Sequence, residues 1–109
     1  MAKDHFFFKM DMLILLALRK QDCYGYELVH IIKEQTDGVI DLKLGTLYPV
    51  LYRLIDDQCI SSSDVVENRR VRVYYHMEPK GEEYLQQLLT KYLSWSSAIQ
   101  KLIERGSYI

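Results

Sequence analysis

The sequence predicts a mainly helical α+β fold: three short helices, a two-stranded hairpin and one long C-terminal helix. Three observations carry this prediction. Apolar residues recur at helical spacings of three and four as far as Ile55. They alternate with polar residues around Tyr75, and helical spacing then resumes and continues to Gly106. A chain of 109 residues is long enough for one domain, which we divide into residues 1–77 and a C-terminal helix at 78–109.

The first two helices are predicted from their apolar residues. The segment Phe8–Lys20 is apolar on nearly all sides and rich in Leu, Met and Ala, which favours a buried central helix. The segment Tyr24–Gln35 is amphipathic, and Gly38 is suited to the left-handed conformation that ends many helices. Its apolar face is formed by Leu28, Ile31 and Ile32.

A third helix is indicated by one apolar stripe, and a proline limits where it begins. The stripe consists of Leu47, Leu51, Leu54 and Ile55. Proline is tolerated in the first turn but costs about 3 kcal/mol inside a helix. Because of Pro49, we predict that the helix begins near Gly45 or Thr46, with Thr46 as its N-cap.

A hairpin follows. Ile60–Glu67 is predicted as one strand, and Val71, Val73 and Tyr75 alternate with polar residues in the next. The segment Glu67–Arg69 is the predicted tip. Three helices followed by a two-stranded hairpin is the arrangement of a winged helix-turn-helix, a DNA-binding fold.

The last helix is too long for one small core. Pro79–Arg105 would extend roughly 40 Å at about 1.5 Å per residue, against a radius of gyration near 13 Å for a domain of this size. We therefore predict a homodimer through this helix, joined by the aromatic segment Phe6–Phe8. The alternative is a helix that folds back over its own domain.

Several function classes are excluded. The longest apolar run, Met12–Leu18, is far shorter than the roughly 20 residues that span a membrane. No signal peptide precedes the first helix, and Cys23 and Cys59 stand alone, so we expect a cytoplasmic protein with free thiols. No catalytic motif, metal-ligand spacing or phosphate loop occurs, and we predict neither enzyme activity nor a cofactor.

Two segments are candidates for DNA contact despite a net charge of −1. Arg69, Arg70 and Arg72 cluster at the hairpin tip, where guanidinium groups suit phosphate oxygens; the alternative is an ordinary solvated hairpin. A recognition helix contacts bases through residues near its N-terminus. In the third helix these are Lys43, Thr46, Tyr48, Pro49 and Arg53. For Tyr48, a half-buried packing role is an equal alternative.

A third candidate site lies in the long helix. Trp95 stands between Ser94 and Ser96, and small neighbours around an indole leave room for a flat guest. Tyr92 and Ile99 share its apolar stripe, and we group these three residues as a predicted effector site. The alternative is that Trp95 fills the dimer core.

Three motifs in this order resemble the PadR-type transcriptional regulators. The segment 24–27, YGYE, is similar to the start of the family's second helix. The segment 44–54, LGTLYPVLYRL, resembles its recognition helix, and 69–75, RRVRVYY, its wing strand. The sequence departs from the family pattern at Gln58, where a glycine is usual, and at Val73, where a wing lysine is usual.

The resemblance implies a dimeric repressor that binds a palindromic operator in successive major grooves about 34 Å apart. We add Tyr24 and Tyr26, which lie in the second-helix motif, to the predicted DNA-binding residues. The short form with one C-terminal helix resembles multidrug-sensing members, in which a Ser-Trp-Ser tryptophan lines a hydrophobic pore. This implies a planar aromatic or phenolic effector at Trp95. The alternative function is a protein-interaction adaptor that has lost specific DNA binding.

Overall fold

The computed structural model describes residues 9–106 and folds them into four helices and a three-stranded antiparallel sheet. The elements are α1 (Met10–Leu18), β1 (Cys23–Tyr24), α2 (Gly25–Gln35), α3 (Leu44–Asp56), β2 (Ile60–Glu67), β3 (Arg70–Met77) and α4 (Pro79–Gly106). The predicted α+β class and the order of helices and hairpin are confirmed. The segment Phe6–Phe8, predicted to join a dimer interface, lies outside the described residues.

The core forms where the apolar faces of the four helices meet the base of the hairpin. Ile14 and Leu15 of α1 are completely buried, as the apolar character of that segment predicts. Each buried aliphatic side chain stabilises the fold by roughly 1.5–3 kcal/mol relative to exposure. The other helices contribute Leu28, Leu47, Leu51, Leu54 and Leu85, all without exposed surface.

A short strand, β1, is formed by Cys23 and Tyr24, where the sequence predicts Tyr24 as part of the second helix. Cys23 pairs with Tyr75 and Tyr24 with Tyr74, so the strand order is β1-β3-β2. Two residues show no periodicity, and only the pairing partner defines them as a strand. The pairing ties the start of α2 directly to the base of the hairpin.

The predicted N-cap of α3, Thr46, was wrong, and the helix begins one residue before Gly45. The helix begins at Leu44, Lys43 is its N-cap with an extended backbone, and Pro49 lies inside the helix. Proline cannot donate to the carbonyl of Gly45, four residues earlier. Gly45 and Pro49 are both exposed, so water can satisfy that carbonyl. Burial of Leu47 and of part of Leu44 extends the helix in spite of the missing hydrogen bond.

The hairpin tip is tighter than predicted. Glu67 belongs to β2 and pairs with Arg70, which leaves a two-residue turn of Asn68 and Arg69. Both turn residues have positive φ, 49° and 67°. Such turns match the right-handed twist of paired strands and favour Asn and Gly. The arginine in the second position is therefore strained.

The connections around α4 are close. Gln58 has a φ of 64° where α3 gives way to β2, the left-handed turn expected from the glycine of the family pattern. A Cβ on Gly81 would lie 2.1 Å from the carbonyl oxygen of Cys59, so only glycine permits this approach. The first turn of α4 is thus pressed against the start of β2.

Candidate nucleic-acid interface

The N-terminal face of α3 is exposed, as a recognition helix requires. Lys43, Thr46 and Pro49 all lie on the surface. The first turn of α3 contains no acidic residue, and the N-cap side chain makes no hydrogen bond to the helix. The partial positive charge of a helix N-terminus and the Lys43 ammonium therefore add together, which favours an anion such as a phosphate group.

Tyr48 lies between α3 and the start of α2. A Cβ on Gly25 would be 2.9 Å from the Tyr48 hydroxyl oxygen, so the missing side chain makes room for this ring. The Tyr48 and Tyr52 rings lie nearly parallel, with centroids 6.0 Å apart. Tyr48 is half-buried and has the packing role of the alternative interpretation, while its DNA contact stays a prediction.

Arg72 is held by neighbouring side chains. Its guanidinium carbon lies 4.2 Å from the centroid of the Tyr24 ring, a cation–π contact. Its Nε is 3.4 Å from a carboxylate oxygen of Glu67. Tyr74 donates a hydrogen bond from its hydroxyl to the same carboxylate at 3.1 Å and meets the Tyr24 ring edge-on. Desolvation and this hydrogen bond raise the pKa of Tyr74.

The three clustered arginines therefore differ. Arg69 and Arg70 are exposed, and neither pairs with an acid among residues 9–106. Arg72 is two-thirds buried against Tyr24 and Glu67. The sequence shows the arginines as one cluster and does not separate Arg72, because Glu67 pairs with Arg70 in the strand register and contacts Arg72 only diagonally.

A cleft of about 840 Å³ joins these parts. It lies between the start of α2, one face of α3 and the distal part of β3, where β1 no longer covers the strand edge. Five of the predicted DNA-binding residues line it: Tyr24, Tyr26, Tyr48, Arg70 and Arg72. Lys43, Thr46, Pro49, Arg53 and Arg69 do not.

Two lining residues that the sequence analysis missed had a usable signal. His30 and Tyr52 each follow a predicted residue by four positions, Tyr26 and Tyr48 respectively, and therefore share its helix face. Val71 and Val73 line the wing side of the cleft. Their contribution depends on the strand edge being open, which the sequence does not show.

Arg53 has a partner inside the protein. Its Nη2 donates to Oδ1 of Asp11, a carboxylate that is 3% exposed, and the Tyr84 hydroxyl donates to Oδ2 at 2.9 Å. The hydrogen bond to Asp11 raises the pKa of Arg53, and burial, followed by the Asp11 charge, raises that of Tyr84. A DNA contact of Arg53 stays a prediction, and the sequence carries no signal for its pairing with Asp11.

The predicted effector residues lie where α4 leaves the domain. Tyr92 packs against the edge of the core, whereas Trp95 is 49% and Ile99 36% exposed. Leu102 and Ile103 farther along are also exposed, at 72% and 60%. Among residues 9–106, no part of the chain folds back over this end of α4, and the alternative of a folded-back helix is not what the structure shows.

Neither a metal nor a membrane is indicated by residues 9–106. Within that range no group of three or more His, Cys, Asp and Glu side chains is placed to hold a metal ion. Both cysteines are buried, and burial raises the pKa of the Cys23 thiol to about 11. No helix in the same range combines the length and apolarity that crossing a membrane requires.

The family model described as the transcriptional regulator PadR-like family matches residues 14–87, about two-thirds of the chain. The chain belongs to the PadR-like family. Its relatives in this family are transcriptional regulators, which confirms the prediction of a non-enzymatic protein.

Two solved structures and one further protein are similar to this chain. A transcriptional regulator from Clostridium thermocellum is 32% identical with a TM-score of 0.79, covering 85% of this chain and 91% of that one. Bacillus subtilis PadR in complex with operator DNA is 25% identical with a TM-score of 0.68, covering 73% of this chain and 46% of that one. An uncharacterized protein of Lysinibacillus sphaericus is 30% identical over 97 residues, 87% of this chain and 88% of that one.

Proposed function

We propose that this PadR-like chain is a ligand-responsive repressor that binds a palindromic DNA operator as a homodimer in the cytoplasm. The cleft between α2, α3 and β3 carries the proposal, because it gathers tyrosines from both helices and arginines from the wing. Tyr hydroxyls and Arg guanidinium groups are common donors to phosphate oxygens. Bacillus subtilis PadR, a protein of similar fold, was solved in complex with operator DNA, which supports DNA as the partner.

The proposed contacts divide by chemistry. Arg69 and Arg70 supply phosphate contacts from the wing, and Lys43 supplies one at the start of α3. Thr46 and Pro49 face the bases from the first turns of α3, where short polar and apolar groups contact base edges and thymine methyls. Tyr26, 69% exposed, reaches the backbone from α2. Tyr24, Tyr48 and Arg72 support these groups from within the cleft.

The dimer is proposed through residues 78–109, with residues 1–77 carrying the DNA contacts. The apolar stripe at the far end of α4, which nothing covers among residues 9–106, supports this dimer, since monomers rarely expose so much contiguous apolar surface. Most soluble homo-oligomers are twofold dimers, and a twofold pair of α4 helices buries the same stripe on both copies.

DNA selection tests the main proposal. The wild-type protein is used to select duplexes from a random-sequence library, and binding is then measured across a range of salt concentrations. We expect an inverted-repeat site. We expect Arg69→Ala with Arg70→Ala to reduce the magnitude of the salt slope by about 1.8, since each phosphate group that is no longer neutralised accounts for about 0.9. Lys101→Ala with Lys91→Ala, which removes two exposed charges of α4, is the matched control. If the selection enriches no sequence, the proposal is contradicted.

The adaptor function is the second candidate, and one observation favours it. Val66 and Val71 face each other across the hairpin near its tip and are 72% and 64% exposed. Exposed aliphatic pairs are more typical of a protein-binding surface than of a phosphate-binding one. An absence of DNA selection together with a stable dimer would support the adaptor.

The effector proposal places a planar aromatic or phenolic molecule against Trp95, between paired α4 helices. The half-exposed indole and the adjacent Ile99 offer an apolar face for stacking. Because the chain has one tryptophan, its fluorescence reports this site alone. We expect planar phenols to quench it in the wild type and to release selected DNA. An unquenched indole across a panel of planar cationic and phenolic compounds would contradict the effector site.

A further inference from the structure

One acidic side chain is buried in the core. Asp11 is 3% exposed and is the one polar or charged residue in the buried class among residues 9–106. An isolated carboxylate at such a position would cost several kcal/mol. Both of its oxygens have donors, Arg53 on Oδ1 and Tyr84 on Oδ2. A single carboxylate of α1 therefore joins side chains of α3 and α4.

The packing of the helices makes this junction important. α4 packs chiefly on α1, whereas α3 packs on α1, α2 and β2. A change in the orientation of α4 is therefore transmitted to α3 mainly through α1. Asp11 is the polar group through which α1 holds a residue of each helix. Apolar side chains can slide past one another, but two hydrogen bonds to one buried carboxylate fix direction as well as distance.

We propose that Asp11 is a positioning residue, which sets the orientation of α3 relative to α4 by holding Arg53 and Tyr84. This inference rests on the proposed DNA-binding function. Under this inference, Arg53 affects DNA binding by holding α3 to Asp11 and does not contact a phosphate. Reading of bases depends on the orientation of α3, whereas phosphate attraction by the wing does not. Loss of the junction therefore lowers affinity for the selected site more than affinity for arbitrary DNA.

The test compares three substitutions that each remove one acceptor or donor of the junction. Asp11→Asn keeps the shape of the side chain, Tyr84→Phe removes one hydroxyl and Arg53→Gln removes the guanidinium. The probes are a duplex selected by the wild-type protein and a duplex of scrambled sequence. We expect each variant to bind the selected duplex about tenfold more weakly, the size of one good hydrogen bond. Binding to the scrambled duplex stays unchanged.

The salt slope separates the two roles of Arg53. If Arg53 acts as a partner of Asp11, Arg53→Gln leaves the salt slope unchanged. The Asp11→Asn/Arg53→Gln double variant then binds the selected duplex no more weakly than either single variant. If Arg53 instead contacts a phosphate, Arg53→Gln reduces the magnitude of the salt slope by about 0.9 and its effect adds to that of Asp11→Asn. That second result, or unchanged affinity of all three variants for the selected duplex, overturns the inference.

Thr90→Val is the matched control. The Thr90 hydroxyl donates to the Gln86 carbonyl at 2.9 Å, a bond within α4, so its loss leaves the preference for the selected duplex intact. If the wild type selects no duplex, the proposed function fails, and hydrogen exchange then decides the positioning role. Faster exchange of α3 amides in Tyr84→Phe, with α2 unchanged, sustains the inference. Unchanged exchange in α3 overturns it.

Discussion

The two halves of α4 differ sharply although one continuous helix contains both. In the anchored half, Leu85 is fully buried, Gly81 lies against the Cys59 carbonyl and Tyr84 bonds Asp11. In the projecting half, from Leu93 onwards, apolar side chains such as Leu102 have no covering layer among residues 9–106. The difference teaches that amphipathic spacing alone does not say what a helix face packs against.

The same contrast occurs in the hairpin. Ile60, at its base, is 2% exposed and Tyr75 is 4% exposed, while Val66 and Val71 near the tip are mostly exposed. Both elements start in the core and carry apolar residues beyond it. In each case the buried part holds the element in place, and the exposed part is available for the proposed partners, a second copy for α4 and DNA for the wing.

The largest expected effect concerns the anchored half. Leu85→Ala should lower the free energy of unfolding by about 2–5 kcal/mol, because it leaves a cavity in a closed core. Leu93→Ala, 61% exposed, should change it by less than about 0.5 kcal/mol. Urea denaturation of both variants measures the difference. Equal losses would mean that the two halves are not distinct.

The projecting half is tested by dimerisation. Leu102→Asp with Ile103→Asp should weaken self-association at least about 100-fold, near 3 kcal/mol, since each charge would be buried in an apolar interface. Sedimentation velocity over a dilution series measures it. Ser94→Asp with Ser97→Asp adds the same charge on the opposite face of the helix and should leave the dimer intact. If the variant with both aspartates remains dimeric, α4 does not form the dimer interface.

Two strained residues extend the comparison to the base and tip of the hairpin. Gln58 and Arg69 both have positive φ, which costs a non-glycine residue about 1–2 kcal/mol. Substitution by glycine removes this cost, but part of the gain is offset by the greater freedom of glycine in the unfolded chain. We expect Gln58→Gly and Arg69→Gly each to stabilise the fold by about 0.5–1 kcal/mol in thermal unfolding.

Only the variant at the tip should affect DNA. Arg69→Gly removes a proposed phosphate contact and should weaken binding to selected DNA, while Gln58→Gly should not. This outcome would identify Arg69 as a residue kept in a strained conformation for its function. Equal DNA affinity of the two variants would assign the Arg69 charge to the solvated surface.

The smallest expected effect is a pH dependence at the base of the sheet. The hydrogen bond to Asp22 raises the pKa of His76 above its ordinary value. The stabilisation that protonated His76 gains from Asp22 is therefore complete below the ordinary histidine pKa near 6.5 and is lost as pH rises through the folded-state pKa. NMR titration should show the His76 pKa falling towards 6.5 in Asp22→Asn. An unaltered His76 pKa would show that the pair does not form in solution.

Regular periodicity made most of the fold predictable. The apolar stripe of Leu47, Leu51 and Leu54 and the alternation around Tyr75 each gave the correct element. The errors lie where tertiary contacts outweigh a local rule. Pairing with β3 creates the strand at Cys23, and α3 takes Lys43 rather than Thr46 as its N-cap.

The candidate site was predictable in its members more than in its organisation. Tyr24, Tyr48, Arg70 and Arg72 do line one cleft. Their different environments were not predictable, because Glu67 pairs with Arg70 yet contacts Arg72 diagonally, and Gly25 makes room for Tyr48 only across a helix junction.

The sequence by itself determined the order of the helices and the hairpin, the excess length of α4 and the position of the arginines along the chain, since all three follow from local spacing and residue type. Only the tertiary structure decided which charges are already paired. Asp11 and Arg53 lie 42 positions apart, and Asp11 and Tyr84 lie 73 apart. No periodicity links such distant residues. Their contact exists because packing the helices closes a core around a carboxylate that needs donors.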